Sequence, residues 1–239
     1  MTRRRWIADE VSGARAALVG QHAEHLVRVL RARIGQEFDI ATGESVRRGR
    51  ITFVGDGRVD FELGEEVSGA RLAEITLVLA VYKFDRIEWA IEKCTELGVA
   101  RIVPVISRRT DSHLAAAAAK RVERWQRIAR QATEQSRRSA PPEIAAPIKF
   151  PEAVNLKAAS RIVLAESEDR TLLRDVVRPD ASNGDVILAV GPEGGWTQEE
   201  LQLFQQAGWI LASLGNTILR AETAAIAATA VVVSALSSL

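Results

Sequence analysis

Residues 186–223 read VILAVGPEGGWTQEELQLFQQAGWILASLGNTILRAET, and this stretch decides the fold. Two short apolar runs, Val186 to Val190 and Ile210 to Leu214, each end in a glycine-bearing turn: Gly191-Pro192-Glu193-Gly194-Gly195 after the first, Leu214-Gly215 after the second. A helical pattern follows each turn, so both turns sit where strands hand the chain to a loop, the place where open α/β sheets bind ligands. Gly191, Gly194 and Gly195 carry no Cβ, and their backbone groups can approach a flat ring closely. Pro192 fixes φ and withholds a donor. The pattern has neither the Gly-Lys-Ser/Thr of a phosphate loop nor the Gly-x-Gly-x-x-Gly of a dinucleotide site, so phosphate is a poor candidate ligand. Thr197, with Glu200 three residues on, predicts a capping box for the next helix.

Upstream the same alternation continues. Apolar runs at Ile75 to Val81, Ile102 to Ile106 and Ile162 to Ala165 alternate with helical stretches at Arg86 to Leu97 and Lys120 to Gln135; Gln198 to Ala207 and Glu222 to Leu236 complete the pattern. Strands without internal polar alternation, separated by helices, predict a parallel sheet covered on both faces. The first seventy residues read differently. Short strands near Arg15 to Val19, Glu37 to Ala41, Gly49 to Val54 and Arg58 to Leu63, with a helix at His22 to Ala32, predict a small β-rich module. A break near Gly69 to Glu74 gives two domains, 1–72 and 73–239.

The net charge of +1 conceals a segregation. Residues 1–50 hold 10 Lys+Arg against 6 Asp+Glu and residues 101–149 hold 11 against 4, while 51–100 hold 5 against 10 and 150–239 hold 6 against 11. The basic excess is nearly all arginine, whose planar fork suits phosphate, and two basic blocks can converge on one polyanion. The single cysteine, Cys94, excludes an internal disulfide and reads as a buried small residue; the three histidines have no metal-ligand spacing, so no metal is expected. No run of about 18 strongly apolar residues occurs, and Met1-Thr2-Arg3-Arg4-Arg5-Trp6 leads to Asp9-Glu10 rather than an apolar segment. The expectation is a cytoplasmic protein without a membrane partner.

The paired turns, Gly191 to Gly195 and Leu214-Gly215 followed by Ile218-Leu219-Arg220-Ala221-Glu222-Thr223-Ala224, resemble the C-terminal signature of the SPOUT methyltransferases, and more closely that of the RsmE family. Three further blocks match in order: His25-Leu26 with Val29-Leu30-Arg31 and Gly35; Lys83 to Val99 with Glu96-Leu97-Gly98; and Gln135-Ser136 with Arg138. The resemblance implies an α/β fold, a SPOUT-type parallel sheet with a C-terminal trefoil knot, preceded by a small PUA-like β-barrel that grips RNA. It implies S-adenosylmethionine as cofactor, N3 of a uridine in 16S ribosomal RNA as the methylated atom, and the 30S subunit as partner. A SPOUT enzyme acting on a ribose 2′-hydroxyl and a non-catalytic RNA-binding module are the alternatives.

Carried over residue by residue, the resemblance assigns the cofactor to Gly191, Pro192, Glu193, Gly194, Gly195, Leu214, Gly215, Ile218, Leu219, Glu222, Thr223 and Ala224. Glu166, just after a strand, is a candidate for ribose hydroxyls. Arg220 and Arg138 are the catalytic candidates, and Arg3, Arg4, Arg28, Arg31 and Arg138 the RNA contacts. Lys83 and Glu96 are offered as site residues without a derivable role, and His25 as a packing residue. Arg220 stays protonated and so is no base; its use is electrostatic, or it pairs with Glu222 or Glu193. The C-terminal helix is almost wholly Ala, Val, Thr, Ser, Ile and Leu, and a helix apolar all round is buried. It is expected to pack on the cofactor loops and on a second subunit, because a lone copy would leave that surface wet. Light scattering should therefore give twice the 26.1 kDa chain mass at micromolar concentration; a monomeric mass would overturn the dimer.

Overall fold

The computed structural model describes residues 5–43, 45–67, 74–136, 138, 140–177 and 185–237. It divides into two compact units, residues 1–71 with 133–141, and residues 72–132 with 142–239. The chain thus crosses between units three times rather than once.

The first unit is a six-stranded sheet. In chain order its elements are β1 (Arg5–Ile7), β2 (Glu10–Ser12), β3 (Arg15–Val19), α1 (Gln21–Arg28), β4 (Glu37–Ala41), β5 (Val46–Gly55) and β6 (Arg58–Glu66). The spatial order is β1-β4-β5-β6-β3-β2, so the two edge strands are consecutive in the chain. Only Ala8 and Asp9 join them, which holds their near ends within roughly 11 Å, whereas a flat sheet of six strands would part its edges by roughly 24 Å. The sheet must therefore curl into a half-barrel. Val59, Phe61 and Leu63 alternate inward along β6 and meet Leu18, Leu26, Ile40 and Ile51 in one core. Asp56 and Gly57 both take positive φ, 48° and 67°, the requirement of the tight two-residue hairpin that closes β5 onto β6. The helix expected over His22 to Ala32 stops at Arg28, and Arg31 adopts the left-handed region at φ 51°, which no helix continues through.

The second unit is a parallel sheet between two helical layers. Its elements are β7 (Ile75–Ala80), α2 (Phe84–Leu97), β8 (Arg101–Ile106), α3 (Ser112–Ala118), α4 (Val122–Ser136), β9 (Glu143–Ile144), β10 (Ile148–Lys149), α5 (Phe150–Val154), β11 (Ser160–Leu164), α6 (Leu173–Val176), β12 (Val186–Val190), α7 (Gln198–Gln206), β13 (Ile210–Ala212) and α8 (Ala221–Ser237). Strand order is β10-β8-β7-β12-β11-β13, with β9 also paired to β8 and every pairing parallel. The last four residues of α4, Thr133 to Ser136, count with the first unit.

Side-chain alternation assigns the two layers. Leu77, Leu79, Leu188 and Val190 pack with Ile87, Ala90 and Ile91 of α2 and with Ala225, Ala228 and Val232 of α8. Val78, Ala80, Ile187 and Ala189 pack with Phe150 of α5 and with Leu201 and Phe204 of α7. Phe204 is the hub of this second layer, within 5.2 Å, centroid to centroid, of Phe150, Trp196 and Trp209. Cys94 is buried in the first layer, where Thr229 Oγ1 donates to its sulfur at 3.5 Å and burial pushes the thiol up to about 12. α2 ends as its sequence predicts, at Gly98 with φ 111°.

Candidate cofactor pocket

Three strands of the second unit, β11, β12 and β13, run parallel and end together, and the loops leaving their carboxyl ends enclose a cavity of about 580 Å³. The first loop is the quoted turn. Gly195, at φ 68°, donates its N–H to Pro192 O at 2.8 Å and closes the turn. Gly191 is buried, and a Cβ there would stand 3.2 Å from both the backbone N and the Nε1 of Trp196. At Gly194 the corresponding atom would meet only Cδ of the Arg109 side chain, at 3.3 Å. A side chain at Gly191 is therefore opposed by tight backbone packing, whereas at Gly194 it would press only on a flexible side chain.

The capping box forms, and does more than cap. Glu200 N donates to Thr197 Oγ1 at 3.3 Å, and Thr197 N donates to Glu200 Oε2 at 2.8 Å. The other oxygen of this fully buried carboxylate accepts the N–H of Arg108 at 2.9 Å, which ties the loop after β8 to the turn. From that loop Arg109 donates to the Gly194 carbonyl. The loops after β11 and β13 are likewise joined: Ser213 N donates to Thr171 O and Leu173 N to Ser213 O, each at 2.9 Å. Glu168 accepts the N–H groups of Arg170 and Thr171, and these bonds hold its carboxyl below the usual range.

Of the residues expected to hold the cofactor, Glu166, Gly191, Pro192, Glu193, Gly194, Gly195, Leu214, Gly215, Ile218, Leu219 and Ala224 line the cavity. Glu222 and Thr223 do not. Glu222 is 3% exposed and turns to Arg86, whose Nη1 lies 3.7 Å from Glu222 Oε1 and 3.0 Å from Glu193 Oε1. Both carboxylates suggested as partners of Arg220 thus face another arginine. Arg220 itself is exposed just before α8 and has no ion pair among the described residues. Arg109, Ser167, Glu168, Asp169 and Trp196 also line the cavity and are not among the residues expected from the sequence. Trp196 alone carried a local signal, standing directly after the glycines.

The remaining candidates lie elsewhere. Arg28 belongs to the first unit and is 79% exposed at its side chain, 3.8 Å from Glu24 one helical turn back. Arg31 is exposed; Arg138, also of the first unit, is half-buried, and burial lowers its guanidinium to about 10. Arg3 and Arg4 lie outside the described residues. His25 is exposed yet packs against the buried Trp6 ring, tilted by 55° with centroids 5.7 Å apart. Lys83 precedes α2 and Glu96 accepts from Lys93 at 2.8 Å; neither lines the cavity. Among the described residues no three His, Cys, Asp or Glu side chains are grouped to hold a metal, and no helix is long and apolar enough to cross a membrane.

Fold and cavity together define a parallel α/β protein that receives a nucleoside-sized ligand in loops at the carboxyl ends of its strands. The RNA methyltransferase domain family matches residues 70–233. The ribosomal RNA small subunit methyltransferase E of Synechocystis is 32% identical over 228 residues, covering 90% of this chain and 72% of the relative, and that of Rickettsia conorii is 33% identical over 221 residues, covering 89% and 87%. The crystal structure of the Neisseria gonorrhoeae ribosomal RNA small subunit methyltransferase E, solved bound to S-adenosyl methionine, superposes with a TM-score of 0.83 at 31% identity, covering 96% of each chain. The chain belongs to the ribosomal RNA small subunit methyltransferase E family.

The contrast between the two glycines yields a test. Titration calorimetry with S-adenosylmethionine should show Gly191→Val abolishing measurable binding, because the new side chain must displace backbone. Gly194→Val should weaken binding less, by roughly tenfold, the size of one ordinary lost contact. Equal affinities in the two variants would refute this account of the turn.

Proposed function

We propose that this chain transfers the methyl group of S-adenosylmethionine to N3 of a uridine in the 16S RNA of the small ribosomal subunit. It is an S-adenosylmethionine-dependent ribosomal RNA methyltransferase; the observation that carries this reading is the loop-built cavity at the ends of β11, β12 and β13 in a chain of this family. The residues present fit the cofactor. At Gly191 a Cβ would stand only 3.2 Å from the backbone N and Nε1 of Trp196, so the wall there is tight, and the buried Trp196 Nε1–H, in a side chain lining the cavity, has no hydrogen-bond partner among the described residues. Glu166, Glu168 and Asp169 line the same cavity and suit hydroxyls and positive charge. Bound there, the cofactor supplies a methyl group activated on a sulfonium.

The protein's share is to hold and to stabilise. The paired loops fix one reactant against the other, and proximity carries most of the rate. Uridine N3 is an imide nitrogen that must shed its proton to attack, and the charge left behind spreads onto the flanking carbonyl oxygens. Arg220 emerges between Leu219 and Ala221, both of which line the cavity, and its fixed positive charge stabilises that anion. Arg28, Arg31 and Arg138 of the first unit contact phosphates, residues 1–72 acting as a PUA-like RNA-gripping barrel. The homodimer is supported by α8, whose Ile226, Val231, Val233 and Leu236 are only partly buried, and by Trp89 of α2, 48% exposed. The trefoil knot is supported by the return of α8, after the edge strand β13, to the layer that covers β12 and α2.

Mass spectrometry of 16S RNA from a strain lacking the protein, before and after complementation, tests the reaction: loss and return of one base methylation supports it, and an unchanged RNA or a lost ribose methyl overturns it. In single-turnover assays at saturating RNA, Arg220→Ala should lose roughly 10²- to 10³-fold in rate, as for removal of one oxyanion donor, with cofactor affinity unaltered; normal turnover with weak RNA binding would make Arg220 a phosphate anchor instead. Arg28→Ala and Arg138→Ala should each lower the slope of log affinity against log salt by about one, and unchanged slopes would remove these arginines from the RNA surface.

A further inference from the structure

Arg86 stands in the first turn of α2, outside every motif assigned to the cofactor, yet it touches the first loop that walls the cavity and the helix that follows the second. Its Nη1 lies 3.0 Å from Glu193 Oε1, in the first glycine turn, and 3.7 Å from Glu222 Oε1, at the start of α8 directly after the second loop. The three side chains differ in burial, and the difference gives the contact a direction. Glu222 is 4% exposed at its side chain, Arg86 30% and Glu193 36%. A buried carboxylate needs its cation, so Glu222 fixes Arg86, and Arg86 in turn fixes the more exposed carboxylate of the turn. The surroundings are buried: Tyr82 and Glu222 are each 3% exposed, and the Tyr82 hydroxyl and Glu222 Oε2 have no hydrogen-bond partner among the described residues. Burial, reinforced by Glu222 and Glu193, pushes the Tyr82 hydroxyl far above its ordinary value.

We infer that Arg86 is a positioning residue of the cofactor site, anchored on buried Glu222 and holding Glu193, and with it the Gly191 to Gly195 turn, in the shape that receives S-adenosylmethionine. This rests on the cofactor reading above and refines it, because Glu193, its charge matched by Arg86, then acts on the turn rather than on the ligand. Both carboxylates approach a single nitrogen, so the clamp needs a point charge and not the two-pronged fork of a guanidinium; lysine can replace arginine here as it cannot at a bidentate site.

Calorimetric titration with S-adenosylmethionine, paired with amide hydrogen exchange of residues 191–195 in the cofactor-free protein, tests the clamp. Arg86→Gln and Glu193→Gln should each weaken binding roughly tenfold, about one ion-pair coupling, and speed exchange of the turn amides. The double variant should be no worse than Arg86→Gln alone, and Arg86→Lys should regain most of the affinity. Arg86→Gln strands a buried carboxylate and can fail to fold; Glu193→Gln leaves the Arg86–Glu222 pair in place and keeps the test open. Equal losses from Glu193→Gln in the wild-type and Arg86→Gln backgrounds would make Glu193 a direct ligand contact and overturn the clamp, as would unchanged turn exchange in Glu193→Gln. A wild-type protein that bound no cofactor would overturn the cofactor reading instead, and the exchange rates would still decide whether the turn is clamped.

Discussion

The cavity depends on the burial of both faces of β12. All five residues from Val186 to Val190 are buried, hydrogen-bonded between β7 and β11, with alternate side chains sent into the two helical layers. A strand with no wet face offers the chain no outlet except at its end, and the next two residues, Gly191 and Pro192, are buried as well. The turn therefore begins inside packed protein. Its shape is set by neighbours such as Trp196, whose indole is itself held in the Phe150, Phe204 and Trp209 cluster, and a loop shaped by packing is pre-organised for its ligand.

Two buried carboxylates complete that rigidity by different means. Glu200 is satisfied by backbone: both oxygens accept N–H groups, one from its own helix cap and one from Arg108 across the sheet's ligand end. Glu222 depends on a side-chain cation. Charge-assisted bonds to fixed amides are strong and carry little ordering cost, whereas removing one member of a buried ion pair typically costs about 3–5 kcal/mol. Glu200 is thus the robust anchor of the first loop and Glu222 the conditional anchor of the second, its worth contingent on Arg86.

What the sequence disclosed and what it withheld divide along one physical line. Periodicity and turn chemistry act between near neighbours, so the four longer strands of the parallel sheet and the apolar run that carries the short β13, the Thr197–Glu200 box and the Gly98 cap were legible, as was the glycine-lined wall of the cavity. The half-barrel's β1 and β2, three residues each, were not: such strands exist only because the curled sheet supplies partners. The same holds for β9 and β10, two residues each, and for α5 and α6, four or five residues long, too short for a helical pattern to register. In the site, Arg109 and Asp169 come from loops whose residue types carry no signature, and their approach to the glycines is a property of the sheet order β8-β7-β12-β11. Glu222 and Glu193 illustrate the converse. The sequence offers Arg220 as a partner of Glu222 or Glu193, but both carboxylates pair with Arg86 of α2, more than a hundred residues earlier.

That exchange of partners bears on what Arg220 can do. A cation already matched, as Arg86 is, has its field cancelled nearby and serves structure. Arg220 has no ion pair among the described residues, but in water its field is weak, since two unit charges about 4 Å apart interact by only about 1 kcal/mol at the dielectric of bulk solvent. Its neighbours Leu219, Ala221 and Ile218, the last 82% exposed, form an apolar rim to the cavity. A flat base laid across that rim excludes water from both itself and the guanidinium, and the interaction strengthens severalfold as the effective dielectric falls. On the proposed reading, the charge of Arg220 would become effective when substrate covers it. That is the behaviour the proposed role asks of Arg220, a cation that the substrate-free protein leaves exposed beside an apolar rim.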